Sequence, residues 1–168
     1  MDRRTIRIKF LSFICAFAGM SLFTLVSAAS PPPRASDQPI AVQDSDFPDV
    51  EVALLEVTRT PGNTVTVKWQ YRNKGPKQRE LQAIGLNEAD HYKIVAAAYL
   101  VDPANKKKYL IVRDTNDVPL GSRSNNYRVP PKDALAMWAK FPAPPETTEK
   151  VSVFLPHSAP FDDVKLAR

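Results

Sequence analysis

The chain has 168 residues, of which 43% are hydrophobic, with 23 Lys and Arg against 18 Asp and Glu; one compact domain is the expectation. The formal charge of +5 overstates its basicity, because the first 29 residues carry four bases and one acid, leaving the remainder at +2, which argues against a nucleic-acid partner. The single cysteine, Cys15, falls in the same leader, so the rest of the chain carries no disulfide framework, no thiolate chemistry and no thiolate zinc site.

Residues 1–29 read as a signal peptide. Arg3, Arg4, Arg7 and Lys9 precede an apolar run from Phe10 to Val26, and the small residues Ser27, Ala28 and Ala29 offer a cleavage site. An uncleaved membrane anchor is the competing reading, since a run of roughly 17 apolar residues reaches the lower edge of spanning length. Lipid attachment at Cys15 is disfavoured by Phe13 and Ile14 in front of it. A cleaved leader implies a periplasmic or secreted protein with no membrane span after processing.

Residues 30–48 read as a loose Pro-rich arm: Pro31, Pro32, Pro33, Pro39 and Pro48 remove backbone donors, and Asp37, Asp44 and Asp46 favour solvent. Residues 49–168 then form the domain. Its short apolar runs are separated by prolines, a texture that predicts an all-β fold. Val50 to Thr58 changes parity at Leu54 and Leu55, which predicts a bulge, and Pro61-Gly62 turns the chain into Thr64 to Tyr71. In that strand Val65, Val67, Trp69 and Tyr71 alternate with polar residues. Leu81 to Asn87 is read as a further strand. Tyr92 to Val101 and Lys108 to Arg113 are expected to pair through a turn at Asp102-Pro103, and Asp133 to Phe141, Lys150 to Leu155 and Phe161 to Leu166 complete the set. Seven or eight strands match an antiparallel two-sheet sandwich of immunoglobulin-like type.

The charge is unevenly spread. Residues 30–58 hold Arg34 against six acids, whereas 59–128 hold thirteen bases against six acids. Lys106, Lys107 and Lys108 concentrate this charge at a hairpin tip, and Arg123 and Arg128 lie in a long polar loop, so an anionic surface such as lipid headgroups or lipopolysaccharide is a candidate partner. A lysine tip is also an ordinary guard against edge-to-edge strand pairing. Asp114, Asn116 and Asp117 cluster oxygen ligands as calcium loops do, but Pro119 and Asn125 stand where an EF-hand needs glycine and glutamate, and Asx-rich loops also cap turns. His91 and His157 have no second ligand at a useful spacing, and no G-x-S-x-G frames a serine, so no metal, cofactor or catalytic group is assigned and a hydrolytic reading is the weakest. Alternation places Trp138 opposite Met137, Ala139 and Phe141; the indole is either covered by a neighbouring segment or presented as an aromatic platform for a glycan or partner.

The strand ending Trp69-Gln70-Tyr71-Arg72-Asn73-Lys74-Gly75 resembles the early strand of immunoglobulin-like domains of bacterial exported proteins. The ordered set Tyr99-Leu100-Val101-Asp102-Pro103, Lys108-Tyr109-Leu110, Trp138-Ala139-Lys140-Phe141-Pro142 and Val151-Ser152-Val153 is similar to an uncharacterised β-sandwich module that precedes OmpA-like peptidoglycan-binding domains. That resemblance covers about residues 49 to 166 and implies an exported, envelope-associated fold without catalytic residues. No room for a peptidoglycan-binding domain is expected before Arg168. The function expected from these residues is non-catalytic binding of a protein or of the envelope surface, with glycan or anionic-lipid binding as the alternative.

Overall fold

A computed structural model of the chain describes residues 38–81, 91–124 and 126–168. The leader, the start of the Pro-rich arm and all but the first residue of the Leu81 to Asn87 segment lie outside the described residues. Those described form an all-β fold of β1 (Ala41–Asp44), β2 (Val50–Thr60), β3 (Thr64–Asn73), β4 (Arg79–Glu80), β5 (Tyr99–Asp102), β6 (Lys107–Leu110), β7 (Arg128–Val129), β8 (Ala134–Pro142), β9 (Lys150–Phe154) and β10 (Phe161–Lys165), with one helical turn, α1 (Lys93–Ala96). Every strand pairing is antiparallel. The first sheet runs β1-β2-β3-β8, the second β10-β9-β5-β6, and β4 and β7 pair by themselves.

The β2–β3 hairpin organises the first sheet. Its turn needs two left-handed residues, supplied by Gly62 at φ 84° and Asn63 at φ 53°. The register slips between Leu54 and Glu56, the bulge that the parity change predicts, so apolar residues face the core on both sides of it. Val65, Val67, Trp69 and Tyr71 are fully buried, while Lys68 between them is exposed. Together with Phe141 of β8 and Leu100, Val153 and Phe161 of the second sheet, they form one continuous core. The Tyr71 hydroxyl donates across it to the Pro156 carbonyl at 2.9 Å. Burial pushes that phenol far above its ordinary ionisation range, against a smaller opposing contribution from Trp69.

The Asn73-Lys74-Gly75 motif has a packing reason. Asn73 is buried, donates its amide to the carbonyls of Lys77 and Val129 at 2.8 and 3.0 Å, and accepts from the Gly75 N–H at 2.9 Å. A β-carbon at Gly75 would lie 2.8 Å from the Asp49 side chain, so glycine lets the chain pass there.

At two corners the chain crosses from the second sheet to the first. After β6, Val112 donates to Lys140 of β8 and Lys140 donates back to Leu120. After β10, Ala167 donates to Val57 and accepts from Arg59 of β2. Isolated bridges, Gly121 to Ala139 and Ala167 to Thr58, therefore cover part of the edges of both β8 and β2.

Four sequence expectations change. Residues 41–44, assigned to the loose arm, form β1 on the edge of β2; Pro39 and Pro48 flank this strand instead of interrupting it, and the β2 edge supplies hydrogen-bonding partners that no local signal reveals. Tyr92 to Val101 is not one strand: Ile94 and Val95 are buried from a helical turn that the three alanines at 96–98 favour, and β5 begins only at Tyr99. The strand expected at Lys108 to Arg113 ends at Leu110, where the chain leaves for the first sheet. Among the described residues there are ten strands in three sheets where seven or eight in two were expected: β1 joins the first sheet, and the two-residue pair β4–β7 is too short to carry a periodic pattern.

Candidate functional site

The first sheet turns one face to the core and presents the other as an ordered polar surface. Register places Lys68 directly opposite Trp138, Gln70 opposite Ala136, and Thr66 opposite Lys140. All of these side chains lie on the outward parity, because Met137, Ala139 and Phe141 on β8 and Val67, Trp69 and Tyr71 on β3 are buried. Trp138 is 40% exposed, so no segment among the described residues covers the indole fully. It stands on this face beside Lys68 and between Ala136 and Lys140.

The backbone under the indole is held from both sides. One edge of β8 pairs with β3. On the other, the Trp138 N–H donates to Ser122 Oγ at 2.9 Å and its carbonyl accepts from the Ser122 N–H at 2.8 Å. A β-carbon on Gly121 would lie 2.9 Å from that carbonyl, so the close approach of residues 120–122 requires glycine. Lys68 is oriented by Glu56, 2.7 Å away, and Arg72 by Glu51 at 3.9 Å. Thr58 and Thr60 face Thr66 and Thr64 across the hairpin, and the Thr60 hydroxyl lies 2.9 Å from that of Thr64 and 3.1 Å from that of Thr66. The result is a sheet face carrying an aromatic ring, a primary amide, ammonium groups and hydroxyls.

The other sequence candidates do not join this face. Lys106, Lys107 and Lys108 belong to the β5–β6 hairpin of the second sheet, where Lys106 closes the turn at φ 53° and Lys108 Nζ sits 3.6 Å from the centroid of the Tyr99 ring. Arg128 pairs with Glu80 Oε2 at 3.5 Å in the small β4–β7 sheet. Arg123 is exposed and follows Ser122, so of the basic candidates it alone is a chain neighbour of the segment beside Trp138.

The Asp114 to Asp117 loop is a hairpin tip. Asp114 Oδ1 accepts the N–H groups of Asn116 and Val118 at 2.8 and 2.9 Å, and Arg113 donates to the Asp117 carbonyl at 2.7 Å while its guanidinium lies 3.5 Å from Asp117 Oδ2. These bonds cap the turn with Asp114 Oδ1 and set the Arg113 guanidinium beside Asp117. Among the described residues no group of three His, Cys, Asp or Glu side chains is placed to hold a metal. The unfolding midpoint is therefore expected to stay fixed in millimolar calcium, since a ligand of the native state alone would raise it; a rise reversed by chelator would overturn this.

His157 is buried at φ 63°, with its ring 4.7 Å from that of Phe47 and Nδ1 3.8 Å from Asp46 Oδ2, so it anchors the segment after β1. His91 is exposed, and its carbonyl accepts from Ser124 and from the Tyr127 hydroxyl.

No family model, curated protein or solved structure matches the chain. The functional reading therefore rests on the chemistry of the faces just described. No helix among the described residues is long and apolar enough to cross a membrane.

Sequence reasoning singled out Trp138 and missed Lys68, Gln70 and Lys140 as its companions. The signal was present in part: Thr58-x-Thr60 and Thr64-x-Thr66 are symmetric about Pro61-Gly62, and their alternation puts Lys68 on the threonine face. Which strand lies beside β3 was not written locally.

Proposed function

We propose that this chain is an exported, non-catalytic binding module of the immunoglobulin-like β-sandwich kind, which attaches to the cell envelope through the outer face of its first sheet and takes a glycan on Trp138. The observation carrying this reading is the 40% exposed indole on a strand whose backbone is fixed along both edges. An aromatic ring held rigidly loses little entropy when a sugar ring stacks on it, and Lys68, Gln70 and Lys140 supply donors for hydroxyl or acidic substituents around it. The periplasmic or secreted location and the likeness to modules preceding OmpA-like domains belong to the same proposal and rest on the sequence.

Trp138→Ala tests it. The substitution is expected to cost about 1–2 kcal/mol of stability, because an open site leaves no cavity to add to the transfer loss. Binding of solubilised peptidoglycan fragments or lipopolysaccharide oligosaccharide, followed by indole fluorescence and calorimetry on the parent chain, is expected to fall at least tenfold in the variant. Unchanged affinity in a folded variant would remove Trp138 from the site.

A second reading is favoured by a different observation. Ile40 and Val42 are 55% and 44% exposed on or beside the edge strand β1, as expected where a protein partner adds a strand.

A further inference from the structure

The outer face of the second sheet carries a feature that the Trp138 face lacks. Tyr99 of β5 is the direct neighbour of Leu110 on one side and of Phe154 on the other, so three large side chains form one row across three strands. The Tyr99 and Phe154 rings stack with centroids 4.5 Å apart and planes 10° from parallel, and Leu110 at the end of the row is 61% exposed. Isolated exposed leucines are ordinary, but one continued by two stacked, partly exposed aromatic rings is a surface feature.

One cation covers this row, and others lie at the far end of the same sheet. Lys108 Nζ lies 3.6 Å from the Tyr99 centroid, directly over the ring. Lys150 and Lys165 stand exactly opposite each other on β9 and β10. Like charges in directly opposed positions destabilise a sheet, and Lys150 is partly offset by Asp163, whose Oδ1 lies 3.7 Å from its ammonium. An anionic partner would relieve that opposition. The strained position at Lys106, which closes the turn beside Lys107 and Lys108, fixes further positive charge at the end of the same hairpin.

From this arrangement we propose that the second sheet docks on an anionic lipid surface, with Leu110, Tyr99 and Phe154 at the headgroup boundary and the lysines on the phosphates. An apolar row with aromatic members and cations on the same sheet is the pattern of an interfacial contact. A purely electrostatic partner would have no use for the exposed leucine. This contact is independent of the Trp138 face and stands or falls separately from it.

The test is co-sedimentation of the chain, in the processed form that its intact mass defines, with phosphatidylcholine vesicles containing or lacking phosphatidylglycerol. Binding is expected only with phosphatidylglycerol, and it should weaken as salt rises. The double variant Lys150→Gln with Lys165→Gln is expected to bind about fivefold more weakly per lysine removed. Leu110→Ser should also reduce binding, and Trp138→Ala should leave it unchanged. All four side chains are exposed, and unfolding midpoints near that of the parent confirm that the comparison is between folded proteins; should Leu110→Ser destabilise, the lysine pair carries the test. Equal binding to neutral vesicles, or a lysine pair without effect, would overturn the proposal, and so would loss of binding in Trp138→Ala alone. Capture by soluble polyglutamate without binding to vesicles would identify an acidic protein as the partner and likewise overturn it.

Discussion

Trp69→Ala is expected to cost about 3–5 kcal/mol, a large share of the 5–15 kcal/mol that typically holds a domain together. Trp69 is fully buried at the middle of β3, opposite Leu54 on β2 and Met137 on β8, so its removal opens a void that three strands line. The cavity adds to the lost transfer energy because the neighbouring strands are held by their own ladders and cannot collapse inward. Urea denaturation should show the midpoint falling with the slope preserved, and the thermal midpoint should drop by about 10–20 °C. A loss below about 1 kcal/mol would mean that the centre of the core is elsewhere. The contrast with Trp138→Ala is the sharper check, because the two indoles lie on opposite faces of one sheet and differ chiefly in burial.

Asp102→Ala is expected to destabilise by about 3 kcal/mol, the range for a buried charge-assisted network that loses its acceptor. Asp102 is fully buried at the end of β5. Its carboxylate accepts from the Thr148 hydroxyl at 2.6 Å, from Asn105 Nδ2 at 2.7 Å and from the Asn105 N–H at 3.1 Å. Arg59 braces the same region, donating to the carbonyls of Pro144, Pro145 and Thr148 at 2.8, 2.7 and 3.2 Å. The network thus ties the β5–β6 turn to the segment before β9. Desolvation by itself would raise the Asp102 carboxyl, but the hydrogen bonds from Thr148, from Asn105 and from the Ala104 backbone outweigh it and hold the group below its ordinary value.

The sign of the pH dependence follows. A carboxyl whose folded-state pKa is depressed contributes stability that is fully present above its unfolded value, about 3.9, and is lost as pH falls through the folded value. Stability measured by denaturation from pH 6 down to pH 2 should therefore decline more in the parent than in Asp102→Asn, which keeps an acceptor but does not titrate. Parallel declines in the two proteins would show that Asp102 makes no net contribution of this kind.

Some elements were legible in the residue pattern because their partners are close in sequence or their faces are uniform. The β2–β3 hairpin, its bulge at Leu54 to Glu56 and its turn all follow from alternation and from Pro61-Gly62-Asn63. Strands β8, β9 and β10 were likewise readable: β8 buries every second residue from Met137 to Phe141, Val151 and Val153 mark the core side of β9, and β10 buries Phe161 and Val164. The helical turn before β5 escaped notice because four residues are fewer than either period needs. The Pro-rich arm was misread at 41–44 because composition reports average solvation and is blind to an available sheet edge.

What the residues determined by themselves is the class of the fold, the parity of each long strand, and hence that Trp138 lies on the strand face opposite Met137, Ala139 and Phe141; that no segment among the described residues covers it fully was decided by the tertiary structure. Alternation has a period of two and is a local property, so it selects a face without naming a neighbour. The tertiary structure decided which strands lie side by side, and with that the composition of both surfaces. Lys68 meets Trp138 because β8, some seventy residues later, pairs with β3 in one register, and a slip by one residue would replace Lys68 with a core side chain. Leu110 meets Tyr99 through the local β5–β6 hairpin, but Phe154 joins that row, and Lys165 stands opposite Lys150, only through a pairing between distant strands and one displaced by a bulge.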